Sequence, residues 1–316
     1  MAITVNATNY NGSLNDYLYE VIGLGNDVLE KGGAHLIANV NYKEQLDFLE
    51  TNEDPFETYT DADPGFTGVT TKYKRELLPE KMTISGTITP SAWLAVWEKY
   101  RSQGTLTELK QNPAFMMAVV DLIKNAANRQ LAKLFWQGDK AAGVASPLRF
   151  FDGMIKKLTA DSNSNVIFVT PAGVITQANV VDILQSVYAA MPDKFIDDPD
   201  WKILMNSGDF KLLQFYNNAV KETSVGVLDE VVKRLFLEKR ILHFTSLPAS
   251  RVIGAKVSNA EDSNLVLGMY FDVDSEFGAM RVDYTTNFSK VVGYRVDVMA
   301  DCNYRYGGDI VFYKPI

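Results

Sequence analysis

The chain has 316 residues, of which 47% are apolar and 22% are charged. That length allows one large core or two domains of ordinary size, and the composition excludes an intrinsically disordered chain. A net charge of −8 argues against a protein that coats nucleic acid through a broad basic face. The single cysteine, Cys302, excludes an internal disulfide and fits a reducing compartment.

No apolar run approaches the length of a membrane span, and the most hydrophobic helix candidate is interrupted by Asp121 and Lys124. The N-terminal stretch MAITVNATNYNGSL lacks a basic segment followed by an apolar one, so no secretion signal is expected. The sequence therefore predicts a soluble protein that is made in the cytoplasm.

A helix is predicted near the N-terminus. Ser13 is a typical N-cap residue, and Asp16 follows three residues later as its capping-box partner. Apolar residues then recur at helical spacing to about Lys31, and Gly32 and Gly33 end the helix.

A long charged segment follows this helix. Residues 44–66 hold eight carboxylates and no Lys or Arg, whereas residues 72–81 carry four cations. The segment has too few apolar residues for a core of its own. The pattern predicts a long two-limbed loop with oppositely charged limbs, which leads into a strand, MTISGTIT.

Two helices are predicted next. The residues Thr89-Pro90-Ser91 open a short helix that ends before Gly104. Pro113 opens the longest helix, over residues 113–137, and Gly138 ends it. A helix of this length is expected to act as a strut along the molecule.

From residue 152 to about 276 the predicted strands and helices alternate. The strand candidates are VIFV, WKILMN, KRILHFT, RVIGAKV and NLVLGM, and the helices begin near Thr176 and Ser207. In KVVGYRVDVMADC every second residue from Val292 to Cys302 is apolar, which predicts a strand with one buried face. The stretch RYGGDIVFY predicts a turn and a last strand.

The pair Gly138 and Gly143 has the spacing of the two glycines in a phosphate-binding P-loop. That loop needs Lys and Ser or Thr directly after the second glycine, but Val144 and Ala145 stand there. The pair also follows a predicted helix and not a strand. A nucleotide site is therefore not expected.

Other motifs also fail. DVDSEFG begins like a calcium-binding loop, but Phe277 replaces the required glycine and Asp283 the final glutamate, so an exposed acidic turn is expected. We expect His35 and His243 to be hydrogen-bonded structural residues and Cys302 to be a buried, inert thiol. The acidic residues of 44–66 are expected to face solvent or a partner and not a cation.

No GxSxG, HExxH, CxxC or GxGxxG motif occurs, and nothing singles out a pair of catalytic carboxylates. We therefore predict no catalytic, cofactor-binding or metal-binding residue, no cofactor and no enzymatic activity.

The order of the elements resembles that of the major capsid proteins of tailed double-stranded DNA bacteriophages, which have the Hong Kong 97-type fold. The stretches that carry the resemblance are ELLPEKMTISGTIT, NRQLAKLFWQGD with SPLRFFDGMIKKL, DPDWKILMNSGDFKLL and ILHFTSLPASRVIGAKVSNAEDSNLVLGM. The first stretch is similar to the return limb of that family's extended E-loop, and the next pair is similar to its spine helix with the glycine junction. The last two stretches are similar to parts of its α/β axial domain. The resemblance covers essentially the whole chain.

The resemblance implies an α+β fold in five parts. These are an N-terminal arm and helix (1–40), an extended E-loop (41–88), a peripheral domain (89–150) with the spine helix 113–137, an axial domain (151–280), and strands that return to the peripheral domain (281–316).

The resemblance also implies a function. It is that of a structural major capsid protein, which self-assembles into the icosahedral shell around the phage double-stranded DNA genome. The implied partners are copies of the same chain in hexameric and pentameric capsomers, with portal, scaffolding and decoration proteins as further candidates. The implied location is the virion, assembled in the host bacterial cytoplasm, with weak non-specific DNA contact and no membrane. The chain begins too close to its arm to hold a scaffolding segment, so a separate scaffolding protein is expected if any is used.

Two groups of residues are candidates for roles in such a shell. Charged residues of the two loop limbs are candidates for contacts between subunits: Glu50, Glu53, Asp54, Glu57, Asp61, Asp63, Lys72, Lys74, Arg75 and Lys81. Residues after the long helix are candidates for a hinge between the two domains: Gly138, Gly143, Pro147 and Gly153.

Three alternatives remain open at this point. One is an encapsulin-type nanocompartment, a shell of the same fold around an enzyme cargo. The second is a cytosolic α/β enzyme with residues 152–280 as its catalytic domain. The third is a virion decoration or tail protein, which would assemble on a shell or tube and would not form closed shells.

Overall fold

A computed structural model describes residues 26–51, 70–88, 126–160, 166–169, 173–221, 235–270, 280–284 and 292–315. The described helices are α1 (Asp27–Glu30), α2 (residues 126–137), α3 (Met154–Ala160), α4 (Val180–Ala189) and α5 (Ser207–Lys221), with 3-10 turns at Asp193–Phe195 and Gly307–Asp309. The described strands are β1 (His35–Ile37), β2 (Glu44–Thr51), β3 (Thr70–Leu77), β4 (Glu80–Ile88), β5 (Ile167–Val169), β6 (Trp201–Asn206), β7 (Leu235–Phe236), β8 (Lys239–Phe244), β9 (Val252–Lys256), β10 (Leu265–Tyr270), β11 (Met280–Tyr284), β12 (Val292–Tyr304) and β13 (Val311–Tyr313).

A five-stranded sheet is built around β12. Strand β4 pairs antiparallel with residues 292–300 of β12, while β11 and β10 pair in turn with residues 292–296 and 299–304. Because a strand has only two edges, β10 and β11 lie end to end on the edge opposite β4. Strand β1 adds to β10 in parallel. Val296, Val298 and Cys302 point from β12 into the main core, which they share with α2 and α3.

A six-stranded sheet has the order β5-β13-β9-β6-β8-β7. The pairs β6–β8 and β5–β13 are parallel, and β9 runs antiparallel to both of its neighbours. Helix α4 packs on β9 and β13, and α5 packs on β6 and β8. Val180, Ile183, Leu184 and Val187 place the apolar stripe of α4 against this sheet. The sheet and its two helices form a second core.

The described elements confirm most of the strands and helices that the sequence predicts, including WKILMN as β6 and the strand that ends the charged loop as β4. The first half of the predicted N-terminal helix, the short helix after Thr89, the start of the long helix and the loop 272–278 lie outside the described residues.

Sheet membership differs from the predicted division at residue 280. Strand β10, grouped with the axial domain, pairs with β12 in the five-stranded sheet, and β13, grouped with the returning strands, lies in the six-stranded sheet beside β5. The physical reason is that apolar alternation identifies the buried face of a strand but not the strand beside which it lies.

Helix α2 ends in a contact between two glycines. The Gly138 N–H donates to Leu134 O at 2.9 Å, and the Gly153 N–H donates to Gly138 O at 2.8 Å. A Cβ atom on Gly138 would lie 2.2 Å from Phe151 O, so only glycine permits this approach. A Cβ atom added to Gly143, in contrast, would meet no atom within 4 Å.

The loop between these glycines is tied back to the protein. The Lys156 ammonium lies 2.6 Å from Asp139 Oδ1 and 2.7 Å from Asp152 Oδ1, and Pro147 O accepts a hydrogen bond from Gln130. The structure therefore places the four hinge candidates in one loop with a tightly packed base. Their role as a hinge stays a prediction.

Substitution of the two glycines should have opposite consequences. Gly138→Ala places a methyl group against Phe151 O and Leu134 O, so we expect it to lower the free energy of unfolding by more than about 2 kcal/mol. Gly143→Ala is the matched control, and it should change stability by less than about 0.5 kcal/mol. Urea denaturation followed by circular dichroism measures both values. Equal stabilities for the two variants would contradict the close packing at Gly138.

Candidate functional site: the charged ribbon

The two charged limbs form a ribbon. Strands β2 and β3 pair antiparallel along their whole length, from Glu44 opposite Leu77 to Thr51 opposite Thr70. Lys72 Nζ lies 2.5 Å from Asp47 Oδ2, and Lys43 pairs with Glu76. The hydrogen bond from Lys72 lowers the pKa of Asp47. The prediction of two limbs with opposite charge is confirmed within the described residues 44–51 and 70–77.

The inner face of the ribbon packs on aromatic residues of the protein body. The Phe48 ring stacks on Tyr306 with centroids 4.6 Å apart and planes 6° apart, and Tyr73 lies 4.7 Å from the same ring. The Arg75 guanidinium lies 4.0 Å from the centroid of Tyr304. These contacts combine aromatic stacking with a cation–π interaction and hold the described part of the ribbon against the end of β12.

An apolar cluster lies beneath the same face. Leu46 and Leu77 are almost completely buried and contact Val40 and Val266. Ribbon residues alternate between the two faces because successive side chains of a strand point in opposite directions. One face of the ribbon therefore packs against the body of its own chain.

The outer face of the ribbon is exposed and carries charges of both signs. Its members are Gln45, Asp47, Leu49, Lys72, Lys74 and Glu76. Leu49, with 63% of its surface exposed, is the large apolar side chain among them. Such a mixed surface can discriminate between partners through charge complementarity.

A row of buried polar residues on β12 holds the base of the ribbon. Asp301 accepts hydrogen bonds from the Leu78 N–H at 2.9 Å and from Lys157 Nζ at 2.8 Å. Asn303 donates to Glu76 O at 2.7 Å. Burial raises the pKa of Asp301, and the charge of Lys157 opposes that shift. Asp301 thus links the ribbon to α3 through one carboxylate.

Sequence reasoning missed this polar row. The apolar alternation of β12 predicts one buried face, but it does not predict that the polar residues between are buried as well. The signal available in the sequence was that Asp297, Asp301 and Asn303 share one face of the predicted strand. In the structure each of them is at least nine-tenths buried. Thr83 on β4 donates to Asp297 at 2.5 Å.

The structure brings together only some of the predicted contact residues. Lys72, Lys74 and Arg75 lie on β3, where Lys72 pairs with Asp47, Lys74 is exposed and Arg75 stacks on Tyr304. Lys81 is exposed on β4. Glu50 belongs to β2, and the other five predicted contact residues lie outside the described residues: Glu53, Asp54, Glu57, Asp61 and Asp63.

The histidines and the cysteine behave as predicted. His35 Nδ1 lies 2.8 Å from Asn259 O, and His243 Nδ1 lies 3.1 Å from the Ser207 hydroxyl. Cys302 is fully buried, which raises the pKa of its thiol to about 12. A thiol of this kind is not a nucleophile at neutral pH.

Among the described residues, no three His, Cys, Asp or Glu side chains are placed to hold a metal ion together. None of the described helices is long and apolar enough to cross a membrane. The described part of the chain does contain cavities, one of them about 610 Å³ in volume between α1 and α2. Its walls carry charges of both signs, from Asp27, Glu30, Arg129 and Lys133.

Comparison with known proteins identifies the fold. No protein family matches the sequence, and no curated protein does. A chain of the procapsid of satellite phage P4, in a structure that includes the size determination protein, superposes with a TM-score of 0.65. The two sequences are 12% identical, and the match covers 98% of this chain and 93% of that one. The chain has the Hong Kong 97-type capsid fold.

Two further structures share the Hong Kong 97-type fold with this chain. A capsid chain of an empty GTA particle is 14% identical with a TM-score of 0.53, and the match covers 99% of this chain and 94% of that one. A chain of a virus-like particle from Pyrococcus furiosus is 11% identical with a TM-score of 0.51, with coverages of 96% and 99%. These structural matches confirm the α+β fold that the sequence predicts. The division of that fold into named subdomains stays a prediction.

The aromatic contact of the ribbon can be tested by hydrogen exchange. Phe48→Ala removes the ring that stacks on Tyr306, so we expect amide exchange in β2 and β3 to become about tenfold faster. Leu49→Ala changes the adjacent, outward-facing residue and should leave these rates unchanged. Unchanged exchange in Phe48→Ala would show that the ring does not hold the ribbon.

Proposed function

We propose that this chain is a major capsid protein, which self-assembles into the icosahedral shell of a tailed double-stranded DNA bacteriophage. The observation that carries the proposal is the match to the phage P4 procapsid chain, because it covers nearly the full length of both chains. It therefore spans both sheets and the ribbon, and not one common supersecondary unit. The proposed role is structural and needs no active site.

The parts of the fold have proposed positions in such a shell. The five-stranded sheet with α2 corresponds to the peripheral domain and its spine helix, and the six-stranded sheet to the axial domain. The ribbon is the described part of the extended E-loop. Its inner face is used within the chain, so its outer face, with Asp47, Lys72 and Lys74, is the surface available to a neighbouring subunit.

The proposed partners are further copies of the chain in hexameric and pentameric capsomers. The net charge of −8 supports only weak, non-specific contact with packaged DNA, since a strongly basic inner wall would bind the phosphate backbone and hinder packing. The glycine loop at residues 138–153 is the proposed junction between the two domains. Portal, scaffolding and decoration proteins are further candidate partners, and the resemblance in fold is the only support for them.

A nanocompartment shell is the second candidate, and the match to the Pyrococcus furiosus virus-like particle favours it. That match has a TM-score of 0.51, against 0.65 for the phage P4 procapsid chain, so the phage shell is the better-supported function. The genes that neighbour this one distinguish the two: portal and terminase genes accompany a phage shell, and a cargo enzyme accompanies a nanocompartment.

Expression of the chain tests the proposed function directly. We expect closed shells in negative-stain electron microscopy and megadalton particles in analytical ultracentrifugation. Coexpression with the scaffolding protein encoded beside it, where there is one, is part of the test. A protein that remains a monomer or small oligomer under both conditions would contradict the proposal.

Reversal of one charge tests the outer face of the ribbon. Lys74→Glu places a carboxylate opposite Asp47, and we expect the yield of shells to fall at least about fivefold while the protomer stays folded. Lys74→Arg keeps the charge and is the control. Arg75 is left unchanged because it stacks on Tyr304 within the chain. Normal shell yield from Lys74→Glu, measured by sedimentation, would exclude a role for this cation in assembly.

A further inference from the structure

The cavity of about 610 Å³ lies between α1, α2 and the segment that follows β8. Its volume falls within the range of roughly 300–1,000 Å³ that small-molecule sites occupy. The proposed shell function assigns no role to this cavity, which belongs neither to the ribbon nor to the glycine loop. Charged and hydroxyl side chains line it: Asp27, Glu30, Arg129, Lys133, Thr245 and Ser246.

Hydrogen bonds fix the walls of the cavity relative to one another. The Gln137 side chain at the end of α2 donates to Ser246 O at 2.5 Å. The ammonium of Lys31, directly after α1, donates to His243 O at 2.7 Å, and the Asn26 side chain caps the start of α1. Both helices are therefore held against the end of β8, so the cavity is preformed.

Two buried polar atoms of the lining lack a hydrogen-bond partner within the described part of the chain. One is the hydroxyl of Ser246, a residue that is only 4% exposed. The other is Asp27 Oδ2, whereas Asp27 Oδ1 lies 2.6 Å from Lys31 Nζ. A buried polar group without a partner costs free energy, so native structures usually supply one. Because both side chains line the cavity, rotation about their own side-chain bonds lets a bound molecule supply it.

The charges of the cavity are divided between its two helical walls. Asp27 and Glu30 lie on α1, and Arg129 and Lys133 lie on α2. Residues four positions apart on a helix are neighbours, so the two cations form one basic surface. A dicarboxylate is repelled by the α1 wall, and a polyamine is repelled by the α2 wall. A molecule with a cationic group at one end and a carboxylate at the other is complementary to both walls.

We propose that this cavity binds a small zwitterion of about the size of a dipeptide. Asp27 Oδ2 accepts a hydrogen bond from its cationic group, and Arg129 and Lys133 donate to its carboxylate. The Ser246 hydroxyl forms a further hydrogen bond to the ligand. Since α2 packs against the five-stranded sheet and β8 belongs to the six-stranded sheet, the ligand adds a contact between the two parts of the fold. This inference does not depend on the proposed function.

Thermal unfolding of the full chain tests the site, with the dipeptide lysylglutamate as the probe. We expect a saturable rise in Tm of at least about 3 °C, because a ligand that binds only the native state stabilises it. Glutarate, a dicarboxylate, and spermidine, a polyamine, are compared at the same ionic strength. Each of them should raise Tm by less than about 1 °C.

A charge reversal on the α2 wall locates the binding. Lys133→Glu should weaken the affinity for the dipeptide at least about tenfold, measured by isothermal titration calorimetry. Lys211→Glu makes the same change at an exposed position of α5 outside the cavity and should leave the affinity unchanged. Circular dichroism verifies that both variants are folded.

Two further variants distinguish a ligand site from a structural charge cluster. Ser246→Ala removes a hydroxyl without a partner among the described residues, so it should keep the Tm of the ligand-free protein and still weaken dipeptide binding. Glu30→Lys leaves one carboxylate and three cations in the cavity, so the preference should change from the dipeptide to glutarate.

The outcomes decide the inference without reference to shell assembly. Absence of saturable dipeptide binding overturns the site, as does equal affinity in Lys133→Glu and Lys211→Glu. Equal stabilisation by glutarate or spermidine overturns the assignment to a zwitterion. Each of these results leaves the proposed function standing, because the formation of shells is measured separately by electron microscopy.

Discussion

The five-stranded sheet and the ribbon both depend on strand β12, which pairs with other strands along both of its edges. Its 13 residues pair with β4 on one edge and with β10 and β11 on the other. Its apolar face enters the main core, where the Cys302 thiol lies 3.5 Å from Phe135 O near the end of α2. Its polar face is also buried, and Asp301 and Asn303 bind the backbone of the ribbon base.

Strand β12 is buried on both faces, and one of these faces carries polar groups. Burying such groups costs free energy unless each of them has a hydrogen-bonding partner. Asp301 meets this requirement with the Leu78 N–H, the Cys302 N–H and Lys157. Burial still raises the pKa of its carboxyl, so desolvation outweighs the attraction of Lys157. A buried ion pair is weak evidence for stability, but its geometry favours one orientation of the ribbon base over others.

Local sequence patterns predicted the positions of the helices and strands well, but they did not predict which strands lie beside each other. The two-residue alternation in β12 and the helical spacing in α4 depend on side-chain direction, which a short window of sequence contains. The pairing of β13 with β5 joins residues more than 140 positions apart, and no local pattern encodes it. The same limit applies to the ribbon, where the opposite charges were visible, but the stacking of Arg75 on Tyr304 depends on the fold.

The glycine pair shows how a motif changes meaning with its context. Gly138 does not cradle a phosphate, because its N–H is used by Leu134 O and its Cα faces Phe151 O and Gly153. Gly143 has no such constraint, and the segment between them is tied down by Asp139 and Asp152 through Lys156. The Gly138–Gly153 contact has no room to adjust, so it holds the end of α2 beside the start of α3 whatever conformation the residues around Gly143 adopt.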